Sequence, residues 1–225
     1  MITVALIESI SPGNIGAVAR AMKNFELKDL ILINPKCSPK HKEAIKRAKH
    51  AQDVLKHAKV VKNFNYLKKF DYIIGTTANV GSTDYNIPRL PVKPEELRIE
   101  NKNSILLFGR EDSGLTNEEI MKCDFIVSIP ASKKYPVLNI SHAATIIFYE
   151  MFKHKEENSH SHIRMAEGKD KDLLLKLVNQ SLNRLRFSTP DKKETQKKLW
   201  KRVIGKSYLT KREFQAMCGF FKKIK

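Results

Sequence analysis

The stretch Val127–Phe152, VSIPASKKYPVLNISHAATIIFYEMF, decides the fold. It begins inside an apolar run of strand length, Phe125–Ile129. Pro130 and Pro136 stiffen the polar loop that follows, because each ring fixes φ and removes a donor. Leu138–Asn139 then lead into a helical pattern from Ser141. Its Ala143, Ala144, Ile146, Ile147 and Phe148 leave nearly every side apolar, which predicts a fully buried helix. A strand, a constrained loop and a buried helix suit one rigid wall of a small-molecule site.

The chain around this stretch alternates strand and helix. Further strand patterns are Thr3–Ile7, Leu30–Ile33, Val60–Val61, Tyr72–Thr76 and Ile105–Phe108. They are short, apolar and mostly continuous, as in a parallel sheet covered by helices on both faces. Helical patterns fall between them, over Ile15–Phe25, Pro39–Ala58, Thr116–Lys122 and Ser141–Lys153. This series predicts an α/β fold. Asn79–Pro94, with Gly81, Pro88, Pro91 and Pro94, reads as a long ordered loop.

The 225 residues suffice for one α/β domain and a small second one. The expected division is a catalytic domain over residues 1–155, a polar linker over 156–171 and a basic helical domain over 172–225. In the last part Leu173, Leu174, Leu177, Val178, Leu182 and Leu185 form a helical stripe. Pro190 interrupts, a second helix covers Glu194–Ile204, and a third starts at the capping box Thr210/Glu213. Formal charge is +18. Residues 1–150 carry 22 basic and 16 acidic side chains, and the last 75 carry 20 and 8. Such a field favours a polyanion, with the excess in the tail.

Cys37, Cys123 and Cys218 have neither metal-ligand nor CxxC spacing, so a disulfide framework is not expected and a reducing cytoplasm fits. No signal pattern or membrane-length apolar run is present. His154, His160 and His162 lack accompanying ligands and read as a solvated linker, so no metal is expected.

Two further segments complete the pattern. PGNIGAVARAMKNF (Pro12–Phe25) follows the first strand. Gly13 and Gly16 keep its loop free of side-chain bulk, and Arg20 stands among Ala17, Ala19 and Ala21, as a charge facing a cleft or interface would. ILLFGREDSGLTNEEI (Ile105–Ile120) breaks from a strand into a Gly-rich turn and a helix opened by the capping box Thr116/Glu119. The glycine pair Gly13–Gly16 matches neither a Rossmann fingerprint nor a Walker A loop.

In this order, over residues 1–155, the three segments resemble the motifs of SpoU-type methyltransferases of the SPOUT superfamily. GNIGAVARAMKNF and FGREDSGLTNEE most resemble the TrmJ-type tRNA enzymes. The resemblance implies a trefoil-knotted fold, a homodimer, S-adenosylmethionine as methyl donor and a tRNA ribose 2′-hydroxyl as acceptor. It suggests cytidine or uridine at position 32 of the anticodon loop. The alternatives are an rRNA 2′-O-methyltransferase and a non-catalytic RNA-binding protein of the same fold.

By this resemblance Arg20 takes the place of the catalytic arginine. Its high pKa disfavours a general-base role, but a guanidinium can hold a phosphate and stabilise a developing alkoxide. The alternative is a structural ion pair, for example with Glu8. Asn14 could bond the ribose or cap the helix. Glu111 could bind donor or RNA hydroxyls, or tie two loops together. Thr76, Thr77, Gly109, Glu111 and the loop residues Ile129, Pro136, Val137, Leu138 and Asn139 are the expected donor pocket, with Gly109 allowing close donor approach. Tyr135 could stack on a base or pack. Two departures stand out. Val137 occupies the position where many relatives have serine, so either Ser141 supplies a hydroxyl or Ser141 is only an N-cap. Asn79 stands where relatives often carry arginine.

Overall fold

The computed structural model describes residues 2–79, 91–97, 99, 103–157 and 165–224, with backbone alone for 155–157. Its strands are β1 (Ile2–Ile7), β2 (Asp29–Ile33), β3 (Lys59–Val61), β4 (Tyr72–Thr76), β5 (Ser104–Phe108) and β6 (Phe125–Val127). They form one parallel sheet in the order β3-β2-β1-β5-β4-β6. Alternate residues of each strand enter two separate cores. Val4, Leu6, Ile74, Leu106 and Phe108 join one, while Ala5, Ile7, Ile105, Leu107 and Ile126 join the other. This is the physical reason the strands read as continuous apolar runs.

Helices α1 (Pro12–Asn24), α2 (Lys42–Ala48), α3 (Gln52–His57) and α5 (Ile140–Glu157) cover the first face. Helix α4 (Asn117–Lys122) and a 3₁₀ segment at Phe64–Lys69 cover the second. The caps read from the sequence form at α4, where Thr116 and Glu119 bond reciprocally at 2.8 and 3.2 Å. The helix expected over Pro39–Ala58 is broken. Lys49 adopts φ 53°, and a 3₁₀ turn, Lys49–Ala51, separates α2 from α3. β6 stops at Val127, two residues short of the expected strand, and Val92 bridges to it on the side away from β4. Val92 N donates to Ile126 O and Ser128 N to Val92 O. The rest of the expected loop, residues 80–90, lies outside the described residues.

Helix α5 corrects a second expectation. Ala144, Ile147 and Phe148 are buried, but His142 and Thr145 are exposed and Tyr149 is 51 % exposed. The helix has one apolar face against the sheet and one open face. His154, expected in a solvated linker, is buried, with Nε2 2.9 Å from the Glu95 carbonyl. His160 and His162 lie outside the described residues.

The chain ends in α6 (Gly168–Arg184), α7 (Pro190–Lys206) and α8 (Lys211–Lys223), which share their own core of Leu174, Val178, Leu182, Ile204 and Phe214. Pro190 opens α7 rather than separating helices, with Thr189 as the cap. These helices dock on the residues that precede β4 and β6. Gly168 N donates to Asp71 Oδ1 at 2.8 Å. Lys171 Nζ reaches Asp124 Oδ2 at 2.7 Å and the Asp71 carbonyl at 2.5 Å, with both charged side chains under 10 % exposed. A Cβ on Gly205 would stand 2.8 Å from the Asp124 carbonyl, so α7 needs glycine there. Tyr208 stacks on Tyr72 and meets Phe125 edge-on. Because the strands are parallel, this dock lies at the end of the sheet opposite the loops that follow the strands. Among the described residues no helix is long and apolar enough to cross a membrane.

Candidate active site

The three loops singled out in the sequence all leave the C-terminal ends of strands, where open parallel sheets bind ligands. One side chain joins them. Asn14, in the first turn of α1, donates from Nδ2 to Glu111 Oε1 at 3.4 Å. Its Oδ1 accepts from Asn139 Nδ2 at 3.2 Å. Glu111 also accepts from the backbone N–H groups of Ile10 and Ser11 at 3.3 and 3.4 Å. The Glu111 carboxylate therefore ties two loops together, the second of the roles read for it. Ser11 supplies the α1 cap, accepting from Asn14 N.

Asn139 is the cap of α5, accepting from Ser141 N at 2.9 Å. This corrects the N-cap reading of Ser141, which sits inside the first turn and donates its hydroxyl to Asn139 Oδ1 at 2.8 Å. Ser141 lies beside Arg20. Together with Asn24, Arg47, His142 and Thr145 they line an open depression of about 310 Å³ between α1, α2 and α5. Arg20 is exposed and has no ion pair among the described residues. Glu8, its suggested partner, is bound elsewhere, to Arg110 Nε at 3.0 Å and Asn34 Nδ2 at 2.9 Å.

Arg110 is the site residue that the sequence reading missed. Its guanidinium makes two 3.0 Å bonds to Glu119 and one to Glu8, and it also reaches the Gly114 carbonyl. The hydrogen bonds from Arg110 and Asn34 hold the Glu8 carboxyl below its ordinary range. Burial pushes Glu119 up, but bonds from Arg110 and the Thr116 backbone overcome it and hold this carboxyl low as well. The same two carboxylates raise Arg110 further above its already high value. This clamp fixes the turn that carries Glu111.

The expected donor-pocket residues divide. Thr76 ends β4 with its hydroxyl committed to the Leu107 carbonyl at 2.9 Å. Thr77 bonds Val127 O through its amide and closes a small turn with Asn79. A Cβ on Gly109 would meet the Gly114 carbonyl carbon at 2.2 Å. The folded-back turn therefore requires glycine at this position. Ile129 packs partly against the core. Tyr135 and Val137 are 81 % and 58 % exposed, and Pro136 is exposed beside them, while Leu138 is half-buried. The exposed Tyr135 ring does not take the packing role, the alternative read for it.

Within this loop the backbone bonds inside the chain at Lys134 and Tyr135, both to Ser132. Among the described residues, the amides of Val137 and Leu138 and the carbonyls of Pro136–Leu138 have no backbone partner. Half-buried Ile129 and Leu138 flank them. Open backbone groups between apolar walls fit an adenine nucleoside, so these residues match the donor that the motifs imply. Among the described residues no three His, Cys, Asp or Glu side chains gather where a metal could sit.

A parallel sheet whose strand-end loops converge on an asparagine-linked cluster, beside an arginine with no ion pair among the described residues, defines an α/β fold with a ligand site at the strand ends. The SpoU rRNA Methylase family profile matches residues 1–149, and the chain belongs to this family. It is 38 % identical to the tRNA (cytidine-2′-O-)-methyltransferase TrmJ of Methanocaldococcus jannaschii, over 99 % of each chain. A solved probable methylase family protein from Haemophilus influenzae superposes with a TM-score of 0.67 at 26 % identity, covering 99 % of this chain and 95 % of that one. The SpoU methyltransferase AviRb of Streptomyces viridochromogenes, solved with its cofactor AdoMet, has the same fold. Its TM-score is 0.57 at 21 % identity, over 69 % of this chain and 58 % of that one.

Proposed function

We propose that the protein transfers a methyl group from S-adenosylmethionine to a ribose 2′-hydroxyl of tRNA. Cytidine or uridine at position 32 of the anticodon loop is the proposed target. The observation that carries this reading is the chain Glu111–Asn14–Asn139–Ser141, which joins the three motif loops and ends beside Arg20. The near full-length likeness to a tRNA 2′-O-methyltransferase supports tRNA as the acceptor. Bound in the Ile129–Asn139 loop, the donor would supply a methyl group activated on a sulfonium.

The chain's own residues supply positioning and charge. Asn14 and Asn139 lock the first turns of α1 and α5 together, so Arg20 and Ser141 face one depression in fixed relation. The Arg20 guanidinium, which no carboxylate neutralises among the described residues, holds the phosphate beside the target ribose. It also stabilises the negative charge that grows on the ribose oxygen as the methyl group moves from sulfur to that oxygen and the hydroxyl proton passes to water. Ser141 gives its own proton to Asn139, so its oxygen lone pairs remain free to accept from the ribose hydroxyl.

In the proposed division of labour, residues 1–155 perform the chemistry and the basic helices α6–α8 add RNA affinity. The proposed assembly is a homodimer. The proposed compartment is the cytoplasm, where tRNA is the substrate at hand.

The test is methyl transfer to tRNA transcripts, with the modified ribose mapped on total RNA in the presence and absence of the protein. Methyl groups found only on rRNA would redirect the acceptor. Donor binding by calorimetry with no transfer to any RNA would favour the binding-protein alternative, to which Val137 in the serine position gives weight.

A further inference from the structure

Two guanidiniums line the depression between α1, α2 and α5, and the motifs account for only one of them. Arg47 comes from α2, outside all three motif segments. Its position follows from Gly16. A Cβ there would meet the Ala44 carbonyl oxygen at 2.1 Å and the Arg47 Cβ at 2.9 Å, so α2 is pressed directly onto the first turns of α1. Ala44 and Ala48 are wholly buried in that contact. Arg20 lies four residues after Gly16, about 5–6 Å along the same face of α1. Taken with the 2.9 Å approach at Gly16, this puts the Arg20 and Arg47 Cβ atoms within about 9 Å of each other.

Such a pair of like charges needs an anion. Among the described residues no carboxylate pairs with either arginine. Glu43, one turn before Arg47 and spaced to pair with it, turns instead toward Gly13. Lys23, on the same helix as Arg20, shows the contrasting case, because Asp53 neutralises it at 2.9 Å. Arg47 is exposed and has no ion pair among the described residues.

We propose that Arg47 and Arg20 form a two-arginine seat for the RNA backbone, in which Arg47 holds a phosphate next to the one held by Arg20. Arg20 faces the reacting ribose, and Arg47 fixes the register of the strand that presents it. A planar guanidinium suits this task, because it can bond two phosphate oxygens at once. This seat rests on the reading of the protein as a tRNA methyltransferase.

The test is tRNA binding by fluorescence anisotropy across a KCl series, for wild type and for Arg47→Ala, Arg47→Lys and Arg47→Glu. Methyl transfer and donor calorimetry are run on the same preparations. Arg47→Ala is expected to weaken tRNA binding roughly tenfold, the value of one lost charge-assisted bond. The slope of log K against log[KCl] should flatten by nearly one contact. The kinetic loss should appear in KM for tRNA, with donor affinity as in wild type. Arg47→Lys should keep the salt slope, because it keeps the charge, and Arg47→Glu should bind more weakly than Arg47→Ala. Unchanged tRNA affinity and salt slope in Arg47→Ala, with an active wild type, would overturn the seat alone. A wild-type protein that neither binds nor methylates tRNA would overturn the functional reading, and the seat with it.

Discussion

Replacing Lys171 with methionine is expected to destabilise the whole chain, although Lys171 lies at the end of the sheet away from the site. Its Nζ sits 2.7 Å from Asp124 Oδ2, 2.5 Å from the Asp71 carbonyl and 4.5 Å from the centre of the Tyr72 ring. Both charges are nearly excluded from solvent. Removing one partner of a buried ion pair costs about 3–5 kcal/mol, because the other charge is left uncompensated. Methionine keeps most of the aliphatic stem, so the packing loss is small. Asp124 retains the Ile73 N–H at 2.8 Å, which places the expected cost near the lower end, about 3 kcal/mol. For a chain of this size each kcal/mol moves the melting temperature by about 2–4 °C, so a drop of roughly 6–12 °C is expected. Thermal and urea unfolding measure it, and limited proteolysis should show α6–α8 loosened from the sheet. Adding Asp124→Leu should recover part of the loss by removing the stranded charge. Full recovery is not expected, since Ile73 N–H then loses its acceptor at about 1–3 kcal/mol. A Lys171→Met protein that melts within about 1 °C of wild type would refute the reasoning. It would show that the dock is held by Tyr208 and the glycine contacts instead.

Arg20→Ala is expected to lower turnover by on the order of 10²-fold or more, with donor affinity retained in calorimetry, as for a lost transition-state donor; near wild-type activity would make Arg20 structural. Gly109→Ala is expected to lower stability and donor binding together, because its Cβ would strike the Gly114 backbone; a variant of native stability that lost only donor binding would restore the close-approach reading. The low-lying Glu8 and Glu119 carboxyls stabilise the fold above their unfolded pKa of about 4.3, and that contribution is lost as pH falls through their depressed folded values. Arg110→Met should therefore flatten the acid side of the stability profile in urea unfolding between pH 3 and 6, and an unchanged acid limb would count against the clamp. Asn139→Ala should cost about 1 kcal/mol as a lost cap and also slow methyl transfer. Ser141→Ala should cost less stability, and a cost equal to that of Asn139→Ala would contradict the cap assignment.

What the sequence discloses, and what it hides, follows from how far apart the interacting residues lie. Strand runs and capping boxes are local, so Tyr72–Thr76 and the Thr116/Glu119 and Thr210/Glu213 boxes are legible directly. The break at Lys49 is local too, yet no glycine or proline marks it, and a positive φ on lysine leaves no signature. The Arg110 clamp is hidden for a different reason. β1 and β5 are neighbours with Leu6 opposite Phe108, so continuing the register two residues sets Glu8 opposite Arg110, 102 positions away. Only strand order reveals that pair, and strand order is not a property of either strand. The same holds for Asn14, whose partners Glu111 and Asn139 lie 97 and 125 positions on. Recognised motifs therefore name the loops but not the bonds among them. Gly109 shows the consequence. Its motif suggests room for a ligand, and the fold adds a second need, because the backbone of Gly114 and Leu115 lies where a Cβ would stand. A glycine in a strand-end loop can serve the loop's own turn before it serves any ligand, and the distance at which a built Cβ meets backbone decides which.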